Sequence, residues 1–141
     1  MLLTHKKLSI KQIQASETWP LRHVVMYPTH PKEYVILEND KEGIHFGGYA
    51  EGILVTVVSL FIKEKNAQFR KLATLEEHQG KGYASQLLSF VFDFSKKKNT
   101  SKIWCNAREN KANFYHNFGM TKTNKTYKES GINFVIMEVN Y

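Results

Sequence analysis

Two glycines one residue apart, Gly80 and Gly82, stand between a β-patterned run and a helix-patterned one. This junction constrains the fold more than any other stretch of the chain. Ahead of it, Phe69-Arg70-Lys71-Leu72-Ala73-Thr74 closes a β-rich segment; behind it, Ala84, Leu87, Leu88, Val91 and Phe94 return at spacings of three and four. That spacing predicts a helix from about Tyr83 to Lys98. The alternation Phe90, Phe92, Phe94 would suit a strand, but the glycine loop and the 84/87/88/91 spacing agree on a helix. Glycines let the backbone turn sharply and approach a ligand with no Cβ in the way. The first helical turn then presents unpaired N–H groups and the positive end of the helix dipole, a site for phosphate. An ordinary turn before a helix would use the same glycines, so the pair alone does not decide. Two familiar phosphate loops are excluded. In a P-loop, Gly-Lys is followed by Ser or Thr, whereas here Gly82 follows Lys81. A dinucleotide fingerprint needs Gly or Ala at position 85, which is serine, and an acid about twenty residues on, where Asn99 to Cys105 has none.

At 141 residues the expectation is one domain, spanning 1–141, with one core. The 42% hydrophobic and 13% aromatic content is that of a globular chain, not a disordered one. The longest apolar run, Ile53 to Ile62, is interrupted by Thr56 and Ser59 and is far shorter than the roughly 20 residues that span a bilayer. Met1 to Lys7 hold no apolar segment suited to a signal peptide, so the expected location is cytoplasmic, with no membrane partner. The single cysteine, Cys105, excludes an internal disulfide and fits a reducing compartment. No histidine pair has metal-ligand spacing, so no metal is expected. Twenty Lys and Arg against thirteen acids give +7, a field that steers anions and also keeps a surface soluble. The positive residues are scattered, which gives nucleic-acid binding no support. The one compact run, Lys96-Lys97-Lys98, suits the C-terminus of a helix.

In chain order, Leu8 to Gln14 reads as a strand. Ser16-Glu17-Thr18-Trp19-Pro20 reads as a helix start with the proline in its first turn and Leu21, Val24, Val25 and Tyr27 on the apolar face. Tyr34 to Glu38 reads as a short strand or extended link. Ile44–Tyr49, Ile53–Ile62 and Ala67–Thr74 form a meander that delivers the chain to the glycine loop. Lys102 to Asn106 is a strand parallel to the one ending at Thr74. A helix from about Glu109 to Phe118 ends at Gly119, and Thr121–Tyr127 pairs with Ile132–Val139.

Gln79, Gly82 and Ala84 satisfy the pattern Gln/Arg-x-x-Gly-x-Gly/Ala, and the loop therefore resembles motif A of the GNAT-type N-acetyltransferases; Asn106-Ala107-Arg108, followed by Phe114-Tyr115, resembles a small bacterial branch of that family. Ala112-Asn113-Phe114-Tyr115-His116-Asn117-Phe118-Gly119-Met120 resembles motif B of the same family, with Met120 replacing the usual aromatic. The two motifs come in the right order, joined by the expected helix and strand, and residues 8–139 fit the fold. The resemblance implies an α/β (α+β) GNAT fold: a mixed, mostly antiparallel sheet of about six to seven strands, splayed in the middle, flanked by about three to four helices. It implies an acetyl-CoA-dependent N-acetyltransferase in which a primary amine attacks the thioester directly. Leu72, Ala73 and Thr74 would lie along the pantetheine; Gln79, Gly80, Lys81, Gly82, Tyr83, Ala84 and Ser85 would hold the pyrophosphate. Tyr115 would give a proton to the departing CoA thiolate; without the motif it would read as a core aromatic.

The general base is left open. Glu76, Glu77 and His78 read as facing solvent, Glu51 sits in a turn, and a water chain would serve. Cys105, on a buried strand, reads as inert. Two departures from the family stand out. Many members carry Asn seven residues before the tyrosine, where this chain has Arg108, with Asn106 and Asn110 flanking it as alternatives. The segment Gly131-Ile132-Asn133-Phe134 lacks the histidine that a branch of the family carries there. The acceptor is a small-molecule or peptide amine of unknown class, and the positive charge of the chain weighs against a highly cationic one. Trp19, His23, Tyr27 and His45 are candidates for lining its side. A non-catalytic CoA-binding or sensor module on the same fold is the alternative, and the presence of Tyr115 argues against it. Oligomeric state is open, a homodimer being one option.

Overall fold

The computed structural model describes residues 7–141; residues 1–6, most of the stretch read above for a signal peptide, lie outside the described residues. Seven strands form one sheet in the order β1-β2-β3-β4-β5-β7-β6. They are β1 (Ser9–Ile13), β2 (Ile44–Ala50), β3 (Ile53–Lys63), β4 (Asn66–Thr74), β5 (Lys102–Arg108), β6 (Thr121–Glu129) and β7 (Ile132–Asn140). Every neighbouring pair is antiparallel except β4 and β5, which run parallel across the connection made by helix α2 (Tyr83–Lys97). Two shorter helices, α1 (Ala15–Leu21) and α3 (Ala112–His116), complete the α-helices among the described residues. The expected sheet, mixed and mostly antiparallel, is the one observed.

The turn chemistry explains the hairpins. Glu51-Gly52 and Ser130-Gly131 take positive φ at both positions, the twist that two-residue turns need between antiparallel strands. β3, rich in branched residues, is buried without a break from Val55 to Leu60 because both of its faces are covered. One face meets Leu87, Leu88 and Val91 of α2 in the main core; the other carries Val57, packed with Leu21 of α1 and Ala73 of β4. The end of α2 is pinned by a hydroxyl cluster in which Ser95, Thr100 and Tyr141 lie 2.7–2.8 Å apart.

The first helical segment departs from expectation. Pro20 is not in the first turn of α1 but at its sixth residue, where it has no N–H to give, and the chain widens into a π turn over Arg22–Met26. Val24, expected on the apolar face, is 56% exposed, while Arg22 beside it is fully buried. Of Tyr34 to Glu38, expected to be a short strand or extended link, Tyr34 and Val35 instead close a 3₁₀ turn, Lys32–Val35, and Ile36 after it is extended.

Arg22 is buried because a polar network satisfies it. Its Nη1 and Nη2 donate to the two carboxylate oxygens of Asp40 at 2.8 and 2.9 Å, Nη1 also to the carbonyl of Val35, and Nη2 also to Ser59 Oγ. Asp40 accepts further from Trp19 Nε1 and the Leu37 N–H. The chain continues with consistent donors: Ser59 Oγ donates to His45 Nδ1 at 2.6 Å, and His45 Nε2–H donates to the Asp40 carbonyl at 2.7 Å. Burial alone would raise the Asp40 carboxyl; the Arg22 guanidinium, with the Leu37 N–H and Trp19, outweighs it and holds the group below its ordinary value. This network fastens the α1 segment to β3 across residues distant in sequence.

Candidate active site

β4 and β5 pair at only three positions, Asn66–Lys102, Ala67–Ile103 and Gln68–Trp104. Beyond them the two strands part. β4 stays bonded to β3 as far as Thr74, and β5 to β7 as far as Arg108. The facing edges from Phe69 and from Cys105 onward therefore carry backbone groups with no partner in the sheet, and buried backbone groups need one. The parting has a local cause. The β3–β4 register passes from Ser59–Arg70 to Val57–Ala73, so β4 holds one extra residue, and Lys71 at the bulge has φ +59°. A bulge bends its strand and increases the twist. The resulting cleft encloses about 920 Å³.

At one end of the cleft lies the glycine loop. Gly80 and Gly82 have φ of +77° and +83°, and a Cβ built at either would meet nothing within 4 Å. The glycines are there for backbone conformation, and the space above them is open. Gly82 begins α2, whose N-terminus has no side-chain cap. Its first N–H groups thus remain free to meet an anion. Gln79 Nε2 donates to the Thr74 carbonyl at 3.0 Å, tying the loop to the end of β4.

Of the ten residues expected to bind cofactor, Leu72, Ala73, Thr74, Gln79, Gly80, Gly82, Tyr83, Ala84 and Ser85 line the cleft; Lys81 is exposed and does not. Tyr115 lines it too, its ring 5.7 Å from Phe69 and 5.2 Å from Phe114. The Tyr115 hydroxyl has no hydrogen-bond partner among the described residues. Burial pushes its pKa well above the ordinary phenol value of 10, Cys105 adding to the rise and Arg108 opposing it. That direction favours the protonated phenol. Burial likewise pushes the Cys105 thiol up to about 12, which agrees with its reading as inert.

The remaining candidates separate cleanly. Glu76 and Glu77 are exposed, as expected, but His78 is half-buried and lines the cleft, with its Nδ1 buried and unpaired. Asn106 and Arg108 line the cleft, whereas Asn110 does not. Among the residues expected on the acceptor side, only Tyr27 lines it, its hydroxyl accepting from Lys71 Nζ at 2.8 Å. Trp19 and His45 belong to the Asp40 network, and His23 lies against the His30 carbonyl. Sequence reasoning missed Arg70, Tyr127, Glu129 and Phe134, all cleft-lining. For Arg70 the signal was the alternation in β4, which turns it away from the face of Phe69. Among the described residues, no three His, Cys, Asp or Glu side chains are grouped so as to hold a metal ion.

A family model for the acetyltransferase (GNAT) domain matches residues 12–141. The chain belongs to the GNAT acetyltransferase family. Solved GNAT structures share its fold at low identity. The IAA acetyltransferase from Bacillus cereus superposes with a TM-score of 0.79 at 17% identity, over 96% of this chain and 100% of that one. A GNAT family acetyltransferase from Elizabethkingia anophelis with acetyl-CoA bound gives 0.77 at 15%, over 95% and 98%. An acetyltransferase from Bacillus subtilis in complex with CoA gives 0.75 at 18%, over 96% and 99%. No curated protein sequence matches the chain. No helix among the described residues of this GNAT chain is long and apolar enough to cross a membrane.

Proposed function

We propose that the protein is an N-acetyltransferase that moves the acetyl group of acetyl-CoA to a primary amine by direct attack, with Tyr115 as general acid. One observation carries this reading: a single cleft holds the uncapped N-terminus of α2, the unpaired edges of β4 and β5, and the protonated phenol of Tyr115. These are the three things the chemistry needs. The amides from Gln79 to Ser85, at a helix N-terminus, suit a pyrophosphate. The open edge of β4 at Leu72 and Thr74, where among the described residues only the Thr74 carbonyl is taken, by Gln79, suits the amides of an extended pantetheine arm, which would lie as an added strand. Relatives solved with acetyl-CoA or CoA bound support the same ligand here.

Acetyl-CoA supplies an activated thioester, whose C–S bond breaks as the amine nitrogen bonds to the carbonyl carbon. Backbone N–H groups on the β4 edge polarise that carbonyl, and the cleft holds the two reactants in attacking geometry. Tyr115 passes its proton to the departing sulfur and regains one from solvent; the attacking nitrogen, cationic once bonded to the carbonyl carbon, gives its own proton to solvent and leaves a neutral amide. Cys105 takes no part, since a thiol held at about 12 stays protonated.

Gly82→Glu tests the cradle. The substitution forces a side chain into φ +83° and puts a carboxylate where the phosphates sit. The expected result is a loss of acetyl-CoA affinity of about 100-fold or more, which is about 2.7 kcal/mol, by calorimetry, with an unchanged circular dichroism spectrum. Retained affinity in a folded variant would remove the loop from the binding site.

A further inference from the structure

We propose that the acceptor amine carries an anionic group, a carboxylate or a phosphate, gripped by Arg70 on the face of the sheet opposite α2. The inference rests on the acetyltransferase reading and names the substrate class of that same cleft. Phe69 faces the α2 side, its ring 6.1 Å from Phe92 and 5.7 Å from Tyr115. Arg70, the next residue in the strand, turns to the other side, where its guanidinium lies 5.9 Å from the Phe61 ring. It lines the cleft, yet among the described residues it makes no hydrogen bond and no ion pair. A planar guanidinium with free donors binds carboxylate or phosphate in two-point fashion.

The surroundings favour an anion at this point. Arg108, placed on the same face opposite Phe134, lines the parted edge of β5 and is also unpaired among the described residues. Lys111 adds a third cation to the walls, while Lys71 is engaged with Tyr27. Among the described residues lining the cleft, Glu129 is the one carboxylate, and it forms no ion pair with Arg70. A second hollow bordered by Arg70 carries Glu38 and Glu42, neither of which reaches it. CoA phosphates do not account for Arg70. They would sit at the glycine loop beyond Thr74, four residues and about 13 Å further along the strand. Beside the cations, the Tyr127 and Phe134 rings stack at 5.1 Å and 11°, giving the acceptor's apolar part a flat wall.

The test uses two matched pairs of amines with acetyl-CoA: phenylalanine against phenethylamine, and O-phosphoethanolamine against ethanolamine, read as CoA thiol release. The acid member of at least one pair is expected to lead by about 10- to 100-fold in kcat/KM, and the leading pair tells carboxylate from phosphate. Arg70→Gln is expected to collapse that ratio, and Arg70→Lys to recover part of it. In parallel, binding of N-acetylphenylalanine, N-acetylphenethylamine and O-phosphoethanolamine to the protein, with and without saturating CoA, is measured by calorimetry, which needs no turnover. Preference for the uncharged members, a ratio that survives Arg70→Gln, or no Arg70-dependent binding of any anionic probe would overturn the proposal. Failure to bind acetyl-CoA, measured on the same samples, would instead count against the acetyltransferase reading.

Discussion

Tyr115→Phe is expected to lower kcat by about 10²- to 10⁴-fold, the range that a positioned general acid contributes, while acetyl-CoA affinity changes by no more than about twofold. The ring still fills its place between Phe69 and Phe114, so packing is kept and only the proton is lost. The pH profile sharpens the prediction. Because burial raises the Tyr115 pKa above 10, the acid form persists, and kcat in the wild type is expected to show no fall from its ionisation below about pH 10. The general base governs the acidic side, where an unprotonated amine is needed. A variant with full kcat would leave Tyr115 as a core aromatic, and the sulfur would then take its proton from water.

The second large effect is on stability. Asp40→Asn removes the carboxylate that faces Arg22 and leaves the buried guanidinium unmatched, a change expected to cost about 3–5 kcal/mol, read as a lower urea midpoint. The Asp40 pKa is depressed in the folded state, so its contribution is fully present above the ordinary value of 3.8. It is lost as pH falls through 3.8 toward the lower folded value. Wild-type stability is therefore expected to drop steeply below about pH 4, and the drop in Asp40→Asn to be shallower. A loss under about 1 kcal/mol would show the network to be dispensable. The same variant should weaken the acceptor side more than the cofactor side, because the network anchors the segment that brings Val25, Met26 and Tyr27 to the cleft.

The parts of this chain that were legible in the sequence are those governed by local rules. Helix α2 announces itself by the spacing of Leu87, Leu88 and Val91, and the hairpins by branched residues around Glu51-Gly52 and Ser130-Gly131. The cradle is legible because positive φ at Gly80 and Gly82 selects glycine. What was not legible depends on contacts between distant residues. Nothing beside Arg22 in the sequence marks it for burial, because its partner Asp40 lies eighteen residues on. Trp19 and His45 looked available for substrate for the same reason, since their partners lie far along the chain. His78 sits next to two exposed glutamates and shares their local pattern, and only the turn after β4 tips it into the cleft. The wall proposed for the acceptor is assembled from β4, β6 and β7, so no contiguous motif marks it.

The cleft between β4 and β5 is proposed to bind acetyl-CoA. Calorimetric titration of the purified wild-type protein with acetyl-CoA tests it most directly. The expected result is saturable binding at one molecule per chain. A flat titration with folded protein would contradict it and reduce the glycine loop to an ordinary turn before a helix.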